Sequence, residues 1–259
     1  MRLKLALGAL VVGLASISAF AESESYLAPG TPVGGDFVLG PTAPGKWGGA
    51  AMGTPGGVVT YSFMAPGIAT DGGASVAAPS VPLATWKTEI AAAFAAWSSI
   101  ANISFVEVAD SGHAFDAPGA SGDIRIGWHT FDGPSGVLAH GFYPPANGTT
   151  AAGDIHFDAA ELWKVAFGGP GFSIFQVAAH EIGHAIGLDH TGVPASLMNP
   201  FYTEAFSGPQ ADDIAGAKFI YGEHPPAGVV PLPNSVALGG LGLVFVFAAT
   251  RRRKNQLAA

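Results

Sequence analysis

Residues 180–190 read HEIGHAIGLDH and hold three of the chain's eight histidines together with one glutamate. On a helix, residues four apart share a face, so His180 and His184 can aim their rings at one point. Glu181, one position on, can reach a water held at that point without being a ligand itself. Gly187 tolerates backbone angles that end a helix, and the turn it permits would bring His190 back as a third ligand. Three protein ligands leave a fourth zinc position open, which is the arrangement of catalytic rather than structural zinc. Read alone, the eleven residues are also compatible with an Ala- and Ile-rich helix that carries histidines incidentally. The chain contains no cysteine, which excludes disulfides, thiolate metal sites and a thiol nucleophile. Any metal must therefore be held by histidine nitrogen or carboxylate oxygen, which suits zinc and calcium.

These residues need a scaffold, and the flanking sequence describes one. SIFQVAAHEIGHAIGL (173–188) is a long buried helix that exits at Gly187. LATWKTEIAAAFAAWSSIA (83–101) spaces Trp86, Ile90, Phe94 and Trp97 as an amphipathic helix. GPQADDIAGAKFIYG (208–222) has a proline near its first turn, early acids and a terminal glycine, as a third helix should. Strands are expected at 56–64, 103–108, 123–128 and 154–157 from their β-branched, aromatic or alternating residues. Residues 22 to about 57 are Gly- and Pro-rich without sustained periodicity, a flexible lead-in with a strand at Phe37 to Leu39.

The ends are patterned for export. Arg2 and Lys4, an apolar stretch from Leu5 to Ser16 and Ala19-Phe20-Ala21 form a secretory signal over 1–21. Near the C-terminus, Pro231 and Pro233 precede an apolar run from Val236 to Ala249, closed by Arg251, Arg252, Arg253 and Lys254. That run is short of the roughly 20 residues of a stable membrane span, and its arginines would hold its end on the cytoplasmic side. The division is a signal at 1–21, a lead-in at 22–45, a catalytic domain at 46–222, a linker at 223–230 and a tail at 231–259. Without signal and tail, 19 acidic side chains face five basic ones, Lys46, Lys87, Arg125, Lys164 and Lys218. Such an acidic domain has little with which to neutralise phosphates, so nucleic-acid binding is excluded.

The tail, which opens Val-Pro-Leu-Pro, resembles bacterial PEP-CTERM sorting tails. The resemblance implies removal by an exosortase-type membrane enzyme, an extracellular or cell-surface location, and membrane contact through the tail only. A plain C-terminal membrane anchor is the other reading of the same residues.

After HEIGHAIGLDH comes SLMNP (196–200), and together they resemble the metzincin peptidases, in which a methionine turn lies beneath the zinc. Met198 would be that methionine. VAAHEIGHAIGLDH, SLMNPFY, DDIAGAKFIYG and the upstream FDGPSGVLAHGF…GDIHFDAAELW resemble the matrixins, the matrix-metalloproteinase family, over about residues 45–222. Thr191 after the third histidine stands closer to the matrixin serine than to the astacin glutamate or serralysin proline. The resemblance implies an α+β fold: a twisted, mostly parallel β-sheet, about three α-helices, and an active-site helix followed by the Met-turn. It implies a catalytic zinc on His180, His184 and His190 with Glu181 as general base.

The same resemblance places a second, structural zinc at His140 and His156, with His129 as a third ligand. The family's His-x-Asp segment before Phe-Asp-Gly is missing, so the aspartate ligand has no counterpart there. Calcium is implied at Asp132, Asp158 and Glu161, and a second calcium at Asp123 and Asp154. Val137, Leu138 and Ala139 would pair with an extended substrate, while Pro200, Phe201 and Tyr202 would wall a pocket whose depth Gln176 sets. Asp212 and Asp213 correspond to a pair that anchors the site floor. His113 and His224 carry no supporting pattern and read as surface residues.

The reading is a secreted zinc endopeptidase acting on protein or peptide substrates. The alternative is a non-catalytic, calcium-stabilised surface or matrix protein that keeps a metalloprotease fold. Matrixin propeptides block the zinc with a cysteine, which this chain lacks. Activity on export is therefore expected, and Asp36 in the lead-in is the other candidate cover for the zinc.

Overall fold

Buried Trp86, Ile90, Ala93, Phe94 and Trp97 recur every three or four residues, and the segment that carries them is a helix with one face committed to the core. The computed structural model describes residues 37–41, 45–144 and 149–225. In chain order its elements are β1 (Val38–Leu39), β2 (Gly57–Phe63), a 3-10 turn (Asp71–Gly73), α1 (Leu83–Ser98), β3 (Ile103–Glu107), β4 (Ile124–His129), β5 (Ala139–Gly141), β6 (Ile155–Asp158), β7 (Trp163–Lys164), β8 (Phe172–Ser173), α2 (Ile174–Ala185), β9 (Leu188–Asp189) and α3 (Ala211–Tyr221).

The main sheet has the order β3-β2-β4-β6-β5. Four strands run parallel, and β5 alone is antiparallel, against β6. Parallel neighbours need crossover connections, and α1 supplies the one between β2 and β3. This is the α+β arrangement that the resemblance implies. Every residue of β4 is buried, as expected of a central strand covered on both faces. On one face Trp86 of α1 packs edge-on against Trp128, Phe157 and Trp163, with ring centroids 4.9–5.2 Å apart. On the other, buried Arg125 donates to both carboxylate oxygens of Asp110 at 2.9 and 3.1 Å and to the carbonyls of His113 and Ala114. One arginine thus pins the loop that precedes β4.

α2 lies against α1, and the Trp97 indole N–H donates to the Ala179 carbonyl at 2.8 Å. The helix ends at Ala185, earlier than its apolar run suggests, because the chain turns at Gly187 with φ 106. A side chain at Gly187 would strike the Gly45 carbonyl. Leu188–Asp189 then pairs antiparallel with Val38–Leu39, and Gly40 N–H donates to the Gly187 carbonyl at 2.8 Å. Where composition suggests a flexible lead-in, residues 37–41 and 45–56 are bound to the domain. The buried Lys46 ammonium does part of this, donating to the carbonyls of Trp47, Gly49 and Thr54 at 3.0, 2.6 and 3.2 Å.

The signal, Asp36 and the sorting tail lie outside the described residues. Among the described residues no helix is long and apolar enough to cross a membrane.

Candidate metal centres and active site

α2 places His180 and His184 one turn apart, and β9 returns His190 to the same point. Their three Nε2 atoms lie 3.1–3.2 Å from one another. His180 Nδ1–H donates to the Leu197 carbonyl at 2.7 Å, and His184 Nδ1–H to the Leu188 carbonyl at 2.8 Å. Those bonds fix the tautomers, so the two Nε2 atoms face each other as lone pairs, which cannot hydrogen-bond together. Burial pushes His184 down to about 3 and holds His180 well below the ordinary imidazole range, with the neighbouring imidazoles adding to the shift. Both rings are therefore neutral ligands at neutral pH. Nitrogens on a tetrahedral zinc stand about 3.3 Å apart for bonds of 2.0–2.1 Å. The donor set fits zinc.

Glu181 is fully buried, and neither carboxylate oxygen has a hydrogen-bond partner. Burial raises its pKa well above the ordinary carboxylate value. Strand β5 runs directly past it: a Cβ on Gly141 would stand 3.2 Å from Glu181 Oε2. An unpartnered carboxylate next to three convergent imidazoles is equipped to exchange a proton with something bound between them.

The floor is built by the turn that holds Met198. Asp213, at the third position of α3, accepts from the backbone N–H groups of Leu197, Met198 and Gln210 and from the Ser196 hydroxyl. That turn reaches the histidine cluster twice, through the Leu197 carbonyl on His180 and, next to His190, through Thr191 N–H on the Met198 carbonyl at 3.0 Å. Tyr143 adds a brace, its hydroxyl donating at 2.8 Å to Asp189 Oδ1, which also accepts from His190 N–H.

A second cluster joins His129, His140 and His156 to Asp71. Asp71 Oδ1 lies 2.8 Å from His129 Nε2 and 2.7 Å from His156 Nδ1; Oδ2 lies 3.0 Å from His140 Nε2. Burial would raise the Asp71 pKa, but hydrogen bonds from the three histidines hold it below the usual carboxylate range. Sequence reasoning missed Asp71 because it lies far upstream of His129, outside any metal-binding pattern. Its one local signal is the Asp-Gly-Gly turn.

The acids expected at calcium sites are found in two settings. Asp132, Asp158 and Glu161 surround one turn, accepting from the backbone N–H groups of Val137, Phe131 and Ser135 respectively. Burial raises Glu161, and the charges of Asp158 and Asp132 add to that; a divalent cation would relieve this repulsion. Asp123 gives its carboxylate to Thr60, accepting from both N–H and hydroxyl at 2.7 Å. Asp154 accepts from Arg125 N–H at 2.7 Å, while its Oδ2 is buried without a partner. The two carboxylates thus belong to different hydrogen-bond sets.

Val137 and Leu138 lead into β5, which starts at Ala139 and, among the described residues, has a neighbouring strand on one side only. Gln176 is buried one turn before His180, its Oε1 accepting from Gly208 N–H at 3.0 Å. Pro200 and Tyr202 belong to the loop that returns to Gly208; the Tyr202 hydroxyl accepts from Ser173 N–H and donates to Glu204. His113 and His224 are exposed.

A family model described as Matrixin matches residues 75–222. Karilysin of Tannerella forsythia is 39% identical over 144 residues, covering 52% of this chain and 28% of karilysin. Stromelysin-3 of Xenopus laevis is 39% identical over 157 residues, covering 57% of this chain and 30% of its own. Human matrix metalloproteinase-20 is 42% identical over 142 residues, covering 50% and 26%. The chain thus spans less than a third of the length of these relatives.

Proposed function

The chain belongs to the matrixin family, and from that premise we propose that it is an exported zinc endopeptidase that hydrolyses protein substrates with Glu181 as general base. The observation that carries this reading is the buried, unpartnered Glu181 carboxylate beside three converging imidazoles. His180, His184 and His190 would hold the ion through Nε2. Zinc bound there supplies Lewis-acid polarisation of the scissile carbonyl and acidifies water toward neutral pH.

Glu181 takes a proton from the attacking water and hands it to the leaving amine. Its raised pKa suits both halves of that task. Substrate lies extended along the outer edge of the segment Val137-Leu138-Ala139 by β-augmentation. Pro200, Phe201 and Tyr202 receive the side chain after the cleaved bond, and Gln176 closes the pocket toward α2. The preferred residue there is apolar. Asp132, Asp158 and Glu161 hold calcium, and Asp123 and Asp154 serve a second calcium. A second zinc binds at His129, His140 and His156.

Residues 1–21 direct export, and residues 231–259 are handled by an exosortase-type enzyme. The decisive experiment is Glu181→Ala in the purified protein, assayed for zinc content and for cleavage of casein or gelatin. Cleavage should vanish while zinc remains at the wild-type level. A wild-type protein that carries zinc yet cleaves neither substrate nor a peptide library overturns the enzyme reading and leaves the calcium-stabilised scaffold.

A further inference from the structure

The matrixin match begins at residue 75, so Asp71 lies just before the matched residues, yet its carboxylate stands among the three histidines of the second cluster. The chain brings it there by a local device. Between β2 and α1 the backbone leaves and returns on itself: Gly67 N–H donates to Val76 O, Val76 N–H to Ile68 O, and Thr70 N–H to Ala74 O, at 2.8–3.0 Å. The ladder closes on Asp71-Gly72-Gly73, where both glycines adopt positive φ, 60 and 76, angles that other residues resist. Its base is fixed to β4, with Met64 N–H on Ile126 O at 2.8 Å and Ala77 N–H on Trp128 O at 2.6 Å. Because β4 ends at His129, a ladder laid along β4 sets its tip at that histidine.

We propose that Asp71 is the fourth ligand of a closed zinc site with His129, His140 and His156, so that the metal staples the 64–78 excursion to β4, β5 and β6. This rests on the reading that a second zinc binds at these histidines. Four protein ligands with no open position make a structural site. His140 Nε2 and His156 Nδ1 are 3.1 Å apart, and one ligand atom from each of the four residues lies within 4.8 Å of the other three. The Thr70 hydroxyl donates to Asp71 Oδ1 at 2.9 Å, the outer bond that orients a ligating carboxylate. The aspartate that the sequence lacks beside Phe-Asp-Gly is thus replaced from a loop on the other side of α1. The staple also bears on the proposed substrate edge, since His140 sits in β5 between Ala139 and Gly141.

The absence of cysteine gives a direct test. Asp71→Cys introduces the only thiol, so cobalt loaded into that variant should show a near-ultraviolet thiolate-to-cobalt charge-transfer band that cobalt-loaded Asp71→Ser lacks. In parallel, wild-type protein should hold two zinc ions per chain. Asp71→Ala should hold one at wild-type affinity and a second weakened at least tenfold, with Asp71→Asn as the conservative variant if Asp71→Ala does not fold. No charge-transfer band, or two zinc ions at wild-type affinity in both Ala and Asn variants, overturns the assignment. A wild-type chain that holds a single zinc, lost on His180→Ala, overturns the second site altogether. None of these readings uses peptide cleavage, so they stand or fall separately from the peptidase activity.

Discussion

Met198 occupies the notch that Gly183 leaves on α2: a Cβ on Gly183 would overlap the Met198 sulfur and come within 3.2 Å of the Trp97 ring. Gly183 lies between His180 and His184, so the turn that holds Met198 docks on the very stretch of helix that presents both histidines. Gly183→Ala should gain about 1 kcal/mol in helix propensity. Overpacking a filled core costs about 1–3 kcal/mol, and that term should win because Trp97 backs the sulfur. Expected are a thermal midpoint lower by several degrees and weaker zinc binding. An unchanged midpoint in a scanning calorimeter would show that Met198 can repack.

Asp213 serves three donors on the turn that holds Met198 and a fourth, Gln210 N–H, at the start of α3. Asp213→Asn keeps the size but leaves one oxygen to accept and sets an NH2 group against backbone N–H. Hydrogen bonds to a buried charged group are worth about 1.5–3 kcal/mol each, so a loss of about 3 kcal/mol in urea unfolding is expected. A loss below about 1 kcal/mol would mean that the turn is held by its own backbone bonds.

The parts of the site that were legible in the sequence are those set by local spacing. His180, His184 and Glu181 follow from helical periodicity, and Gly187 announces the turn before His190. The fold was legible where residues at helical or strand spacing commit one face to the core, as in α1 and β2. Asp71 was not legible, because its partners lie across α1 and two strands, and only the ladder 67–76 along β4 brings them together. The brace of Tyr143 on Asp189 was hidden for the same reason. The lead-in looked unstructured because Gly40 and Gly45 weaken every periodic signal, yet glycine is what lets the backbone pack so closely: a Cβ at Gly40 would run into the Tyr143 ring.

Titration of the buried groups should give the metal-free protein a stability optimum. Burial pushes His156 down to about 4 and His184 to about 3, from an ordinary value of 6.5. Folded-state pKa values below the unfolded ones mean that this stability is complete above pH 6.5 and is lost as pH falls toward 4 and 3. Each group contributes up to about 1.4 kcal/mol per pH unit across its window. Glu181 works in the opposite direction, because its pKa is raised above 4.5. Its ionised form opposes folding, so stability is lost as pH climbs from 4.5 through the raised value. Chelator-treated Glu181→Gln, in which that opposing charge is removed, should therefore melt lower at pH 5 than at pH 7 through the histidines. Chelator-treated Glu181→Gln should melt above wild type at pH 7, with the gap closing below pH 4.5. A Glu181→Gln midpoint flat between pH 5 and pH 7, or a Gln variant no more stable than wild type at pH 7, would contradict the burial of these groups.

Removal of the lead-in separates its two roles, support or cover. Val38–Leu39 pairs with Leu188–Asp189, Phe37 packs against Phe219 with ring centroids 5.7 Å apart, and Gly40 lies under Tyr143. The strand pairing bears on the segment that delivers His190, and the Phe37 contact ties the lead-in to α3. A chain that starts at Lys46 keeps the buried ammonium and Trp47, so it should fold. It loses one strand of a two-stranded ladder, and an isolated Leu188–Asp189 has no other partner strand in that sheet. His190 should then be held less firmly. The expected result is faster zinc loss to a chelator, a lower thermal midpoint, and peptide cleavage at or below that of the uncut chain. Higher cleavage after removal would reverse the argument, because it would make the lead-in a cover over the zinc and activation by clipping the operative event.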